Sequence, residues 1–309
     1  MKKQSKKLLV LGVFAFLLIL LTGCGRQPID YKPITGFNGI IDILVWPMAA
    51  LMYGLGKTVA FGHYGVVIIL ATIIVRTLAW PIYAKTNDLS LKMQLVGPEQ
   101  AKLEAKYEGK TDPESMQRKQ MEMMQLYKKY GIGLGGCLLP FIQFPIFIAF
   151  FQTLQRVPLT RNGDYPLDFG FLKGNFLGVD LFQGRLDIVT GEPIGQMQTW
   201  GIIILAAIVG ITQIISQILV SRRQKKAKEE SLANVPAYRR PQPTDAQKQT
   251  ENTMKIMMYG MTAMMVFFVY QSTAALGLYW LAGNLYTMLQ GYVSHKFSKK
   301  RLEQLKAKY

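Results

Sequence analysis

Arg76 is the one charged residue in an apolar run from Tyr64 to Tyr83. A guanidinium at the centre of a bilayer costs about 3 kcal/mol or more, so it pairs with a carboxylate, faces water or snorkels to the interface. The other long apolar runs contain no aspartate or glutamate to pair with it. A proton relay or an ion-coupled transporter built on buried carboxylates therefore lacks its raw material. Neutral polar groups do occur at comparable depth. Arg76 lies nine residues before Lys85, and Gln213 nine before Arg222. At helical rise both sit roughly 13 Å from a boundary marked by those cations. Gln217 follows one turn later on the same face, with Thr212 and Ser216 beside it. Gln143 comes fourteen residues after Lys129, and Asn284 twelve before Lys296. Taken singly, each glutamine is most simply interhelical glue, worth about 1 kcal/mol. An arginine without a counter-ion amid such a layer points instead to a hydrated recess. It would open on the lysine-rich side and be closed by the opposite half, where Gln152 and Gln271 are the main polar groups.

Cys24 is the second residue with chemistry to do. Lys2, Lys3, Lys6 and Lys7 precede the apolar stretch Leu8 to Leu21, and Leu21-Thr22-Gly23-Cys24 closes it. A basic head, a short apolar core and small residues at the end describe a secretory signal rather than a spanning helix. The ending resembles the bacterial lipobox, whose cysteine takes a lipid and becomes the mature N-terminus. Cys24 is thus expected on the outer leaflet; an uncleaved first helix is the plainer alternative. Cys137 lies in an apolar run and behaves as a small hydrophobe. His63 and His295 fall at opposite membrane faces, and no metal spacing, nucleotide-binding motif or catalytic constellation is present. The chain is expected to be no enzyme and to need no cofactor or metal.

These residues must be positioned by helices that cross a bilayer. Half of the 309 residues are apolar, 18% are charged and the net charge is +17, whereas soluble domains run near 25% charged. The basic residues come in blocks between apolar runs, not as the hydrated face of a nucleic-acid binder, so DNA is not an expected partner. Residues 64–83, 133–154 and 200–220 are candidate spans. Ile256 to Ser294 holds 39 consecutive residues without a formal charge. As one helix it would measure about 58 Å, twice the hydrocarbon thickness. It should fold back near Gln271-Ser272-Thr273, giving spans 256–271 and 274–293. Gly36 to Phe61 repeats Phe37, Ile40, Ile41, Leu44, Met48 and Leu51 at helical spacing, which suits an interfacial helix. With five spans, the cytoplasmic segments 85–129, 222–255 and the tail carry 9, 9 and 6 basic residues, against 3 and 4 in external segments 25–63 and 156–197. A sixth span would invert that distribution against the positive-inside rule.

The expected fold class is an all-α integral membrane protein: five transmembrane helices, a cytoplasmic helical hairpin and an N-terminal interfacial helix. Residues 1–23 are the lipoprotein signal, 24–63 the external anchored segment, 64–294 the core and 295–309 a basic cytoplasmic tail. Within the hairpin, 85–131, Asp112 is predicted to cap a helix with Pro113 at its first position and Glu114 in its first turn. That helix would run to Tyr130 and stop at Gly131. Its Met116, Met121, Met123 and Met124 suit either a docking face for diverse partners or packing against the first arm. The segment 222–255, rich in Pro, Gln and Lys, reads as a largely flexible linker.

Together these features resemble the YidC family of membrane-protein insertases, in its Gram-positive lipoprotein form. The resemblance is carried by the ending at Cys24, by Val75-Arg76-Thr77 with Trp80-Pro81, and by Gly135-Gly136-Cys137-Leu138-Leu139-Pro140 with Gln143 and Pro145. Ala275-Leu276-Gly277-Leu278-Tyr279-Trp280 and Asn284 complete it, in order, over essentially the whole mature chain. It implies a hydrophilic groove open to the cytoplasm and to lipid, with Arg76 as its positive charge and Gln143, Gln213 and Trp280 lining it. The residues themselves add Gln217 and Asn284 to that set. Implied partners are nascent membrane proteins and the lipid bilayer, with the ribosome and a Sec translocon as further candidates; the implied location is the bacterial cell membrane. Members with long basic tails turn them toward ribosomes, and this tail is short. Two readings from other classes are a channel or small-solute transporter with an Arg-lined cavity, and a lipid-anchored scaffold.

Overall fold

The computed structural model describes residues 31–107, 109–110, 112–132, 143–187, 192–231 and 245–308. Cys24 with its signal, Gly133 to Pro140 with Cys137, and the middle of the 222–255 segment lie outside the described residues. What is described from Ile34 onward is one compact unit, built almost entirely of helices. In chain order these are α1 (Asp42–Thr58), α2 (Tyr64–Leu78), α3 (Trp80–Lys106), α4 (Pro113–Lys129), α5 (Gln143–Arg156), α6 (Gln196–Ser231), α7 (Asp245–Gln271) and α8 (Ala274–Lys308). The two short strands β1 (Asn175–Phe176) and β2 (Val179–Asp180) form a hairpin between α5 and α6.

α1 is shorter than the 36–61 segment that its apolar spacing suggested. Gly36 takes a φ of 147°, and the Asp42 carboxylate accepts the Asn38 N–H at 3.0 Å, so regular helix starts only at Asp42. The face it buries is Val45, Met48, Ala49, Met52 and Gly56, against α2 and α5. Ile40, Ile41 and Ile43 remain exposed.

α2 and α3 are nearly continuous. Ala79 alone separates them, because Pro81 in the first turn of α3 has no N–H to give to the turn before it. α3 then runs straight through Pro98 and pairs with α4. At the turn between them the Asp112 carboxylate accepts the Ser115 N–H at 2.8 Å, with Pro113 at the first helical position. At the other end of α4, Gly131 takes a φ of 62° and the Ile132 N–H reaches the Tyr127 carbonyl at 2.8 Å. That left-handed residue and its returning bond are a glycine stop. Val96, Leu126, Tyr130 and Ile132 form a small core between the arms. Lys106–Glu122 at 2.7 Å and Lys129–Glu99 at 3.2 Å clasp its two ends. Met123 packs into that core, whereas Met116, Met121 and Met124 stay exposed.

α6 is 36 residues long. Within Gln196–Lys226 an 18-residue stretch has a mean hydropathy of 2.4 and is mostly unburied; among the described residues this is the one helix long and apolar enough to cross a membrane. Ile204, Ile208, Ile211, Ile215 and Ile218 face outward along it. α7 ends at Gln271 and α8 starts at Ala274, placing the fold-back where the length of the uncharged run required it. Both helices continue well beyond that run. Residues 222–231 belong to α6, 245–255 to α7, and the basic tail to Lys308 belongs to α8. The linker is therefore largely helical where it is described: Lys, Arg, Glu, Gln and Ala are strong helix formers even in water.

α8 packs against α2, α3, α5, α6 and α7, which makes it the central element. Its first turns are sheathed, with Ala274, Ala275, Leu276, Leu278, Tyr279 and Trp280 all buried. Residues 157–187 close over this end. Phe169, Leu172, Leu181 and Phe182 are buried in the common core, and Phe182 stacks on Tyr64 at 4.6 Å.

Candidate functional site

Arg76 occupies the last turn of α2, and α8 receives its guanidinium. Nη1 donates to Thr287 Oγ1 at 2.9 Å. The Thr287 hydroxyl in turn donates to the Gly283 carbonyl at 2.9 Å, so its lone pair is free for the arginine. Gly283 supplies the space: a Cβ there would lie 2.5 Å from Arg76 Nη2 and 3.1 Å from Cζ. Gly283 and Thr287 are four residues apart and therefore on one face of α8. Among the described residues no carboxylate lies within ion-pair distance of Arg76, and its Nε is buried without a partner. The Tyr83 and Tyr279 hydroxyls are its nearer electrostatic neighbours.

A second polar contact joins the same two helices. Thr77 Oγ1 donates to the Ile73 carbonyl at 2.7 Å, leaving it to accept from Tyr286 Oη at 2.9 Å. Tyr286 also meets the Trp80 ring edge-on, at 6.1 Å and 82°. The environment loosens from one end to the other. Tyr64 to Thr72 is mainly buried along α2, whereas Ile73, Thr77 and Leu78 are exposed. α8 changes likewise, from its sheathed start to an exposed Leu285 and Leu289. Arg76 thus sits on the open side of a seal made by the beginnings of α2 and α8.

Among the other residues singled out in the sequence, Asn284 and Gln217 make their hydrogen bonds to other helices. Asn284 is buried on the α6 side of α8, where its Nδ2 donates to Thr212 Oγ1 at 3.2 Å and to the Val209 carbonyl at 3.4 Å. Gln217 Nε2 donates to Thr262 Oγ1 at 2.8 Å, tying α6 to α7. Gln213 is half-buried. Trp280 is buried and stacks almost parallel on Phe147 of α5 at 5.9 Å. Gln143 is the first residue of α5, and its side chain lies outside the described residues. Arg76 stands out in the sequence as a lone charge, whereas the α8 face that holds it does not. The signal for that face was Gly283 and Thr287 one turn apart in an uncharged helix, opposite a lone arginine.

The sealed end contains the larger omission. Asp42, the first residue of α1, is ion-paired with Arg156, the last of α5, and both are almost wholly buried. Thr160 Oγ1 donates to the Arg156 carbonyl at 2.8 Å and accepts the Ile34 N–H at 2.9 Å. These contacts pin α1 across the end of α5.

The amino-acid sequence has relatives among known proteins. Residues 56–301 match the family model described as the 60 kDa inner membrane protein. The membrane protein insertase YidC 2 of Bacillus anthracis is 30% identical over 294 residues, covering 94% of each chain. The membrane protein insertase YidC of Alkalihalophilus pseudofirmus is 29% identical over 97% of this chain and 98% of its own. The membrane protein insertase MisCA of Bacillus subtilis is 28% identical over 92% and 88%.

Proposed function

Because the chain belongs to the 60 kDa inner-membrane-protein family, that of the YidC insertases, we propose that it inserts nascent membrane proteins into the bacterial plasma membrane. In this reading five segments span the bilayer, the α3–α4 hairpin and the end of α8 are cytoplasmic, and Cys24 is lipid-anchored outside. α1, with the exposed Ile40 and Ile41 just before it and Ile43 in its first turn, lies at the outer interface. A recess beside Arg76 opens to the cytoplasm and to lipid, and the packed starts of α2 and α8 close it externally. Tyr286 lines it with Arg76; Gln143 and Gln213 border it.

The observation that carries this reading is a guanidinium with no carboxylate partner among the described residues, at the boundary between a sealed and a loosening end of the bundle. A client segment must carry polar residues through hydrocarbon at a cost of several kcal/mol per unsatisfied group or charge. A watery recess reaching partway across shortens that path. Arg76 attracts acidic or polar client residues, and low surrounding dielectric strengthens the attraction. The client's apolar helix then leaves sideways into lipid, driven by its own transfer free energy. No covalent bond changes in this cycle.

The test is insertion of a single-span client by purified full-length protein in liposomes. Arg76→Ala should cut insertion by tenfold or more, roughly the worth of one lost charge-assisted contact, and Arg76→Lys should retain most of it. Equal insertion by wild type and Arg76→Ala would remove Arg76 from the mechanism.

A further inference from the structure

We propose that Gly283 and Thr287 are positioning residues for Arg76: they fix where the guanidinium is presented to a client. The proposal rests on the insertase reading above and concerns how α8 serves it. An arginine side chain has four rotatable bonds between backbone and head group, and an unheld head would wander or snorkel toward the cytoplasmic interface. Here α8 holds the head through Thr287 and Gly283, beside the Tyr279 hydroxyl. Thr287 supplies an acceptor at 2.9 Å whose own proton is committed to the Gly283 carbonyl. Gly283 leaves a bare patch of helix backbone that the Nη2 edge occupies. The hydrogen bond therefore runs in one direction, from arginine to threonine to helix carbonyl, and a hydroxyl bound in this way can only accept from the cation.

The geometry separates this role from general packing. Outside the backbone of α8 itself, a methyl group at position 283 would have the Nη2, Cζ and Nε of Arg76 as its three nearest atoms. Those atoms end a flexible side chain, so Gly283→Ala displaces the guanidinium while leaving α8 and the fold intact. Alanine also favours helix over glycine by about 1 kcal/mol, so that substitution should not lower stability. Thr287→Val removes the acceptor and keeps the shape, whereas Thr287→Ser keeps the acceptor.

Two versions of one single-span client separate the outcomes, one with an aspartate in the translocated N-terminal segment and one with asparagine there. Each is inserted by full-length protein in liposomes at matched protein levels. Gly283→Ala and Thr287→Val should each slow the acidic client by about tenfold, in line with the loss of one hydrogen bond to a charged group. Their effect on the neutral client should be at most twofold, and Thr287→Ser should stay within twofold of wild type on both. Wild-type rates on the acidic client by Gly283→Ala and Thr287→Val, where Arg76→Ala fails, would overturn the positioning role and leave the insertase reading standing. Equal losses on both clients would also overturn it, marking the two residues as structural. Wild-type rates by Arg76→Ala would remove the basis of both.

Discussion

The carboxylate of Asp42 and the guanidinium of Arg156, 114 residues apart in sequence, meet as a buried ion pair that joins the first turn of α1 to the last turn of α5. Removing one member strands the other in a poorly solvated site. Asp42→Ala should therefore destabilise the full-length protein by about 3–5 kcal/mol, while Asp42→Leu with Arg156→Leu should recover much of that loss. Thermal unfolding in detergent, followed by tryptophan fluorescence, checks this directly, because Trp46 lies on α1 itself.

Asn284 and Arg76 act on different seams of α8. Since Asn284 bonds α6 rather than the guanidinium, Asn284→Ala should cost about 1 kcal/mol of stability and leave client insertion within a few-fold of wild type. Comparing melting and insertion of Asn284→Ala with those of Arg76→Ala tests the distinction; a tenfold insertion defect at unchanged stability would place Asn284 in the client path.

The α3–α4 hairpin should be sensitive to acid. The hydrogen bond from Lys106, followed by that from Tyr107, holds the Glu122 carboxyl below its ordinary range. A carboxyl depressed in the folded state contributes stability that is complete above its unfolded value, near 4.3, and is lost as pH falls through the lower folded value. Amide exchange across 99–130 in the full-length protein should thus speed up in that acid window. Glu122→Gln should weaken that pH dependence and leave the part due to Glu99 and Asp112, whose carboxyls are also held below their ordinary range.

On the alkaline side, burial first and then the bond to Glu99 push the Tyr130 phenol up to about 12. Its contribution is complete below the unfolded value near 10 and is lost as pH rises through 12. An ultraviolet titration of wild type against Tyr130→Phe should show one tyrosine titrating near 12, and Glu99→Gln should bring it down.

Local rules were legible in the sequence wherever a residue acts on its neighbours. Asp112 caps α4 because its carboxylate reaches an N–H three residues on, and Gly131 stops α4 because it adopts a left-handed φ. The fold-back at Ser272-Thr273 followed from length alone, since the uncharged run was too long for one crossing. What escaped needed a partner far along the chain. Asp42 looked like an interruption of an apolar helix until Arg156 lay beside it. Gly283 looked like one more glycine in an uncharged run until a guanidinium filled its vacant side. The helical parts of 222–255 were missed for another reason: polar composition is equally compatible with a solvated coil and a solvated helix, and here continuity with packed helices decides.

The single-residue break at Ala79 has a mechanical meaning. Beyond it α3 runs for 27 residues, a rod of about 40 Å, with the α4 arm clasped along it. On the near side the guanidinium is three residues away. Ala79 keeps its N–H bond back to Val75, and its carbonyl accepts from Ile82 and Tyr83, while Pro81 leaves the turn one bond short. The joint therefore sets the direction of the whole hairpin, and a small change of angle there displaces the far tip, around Gly109, much more than it displaces Arg76.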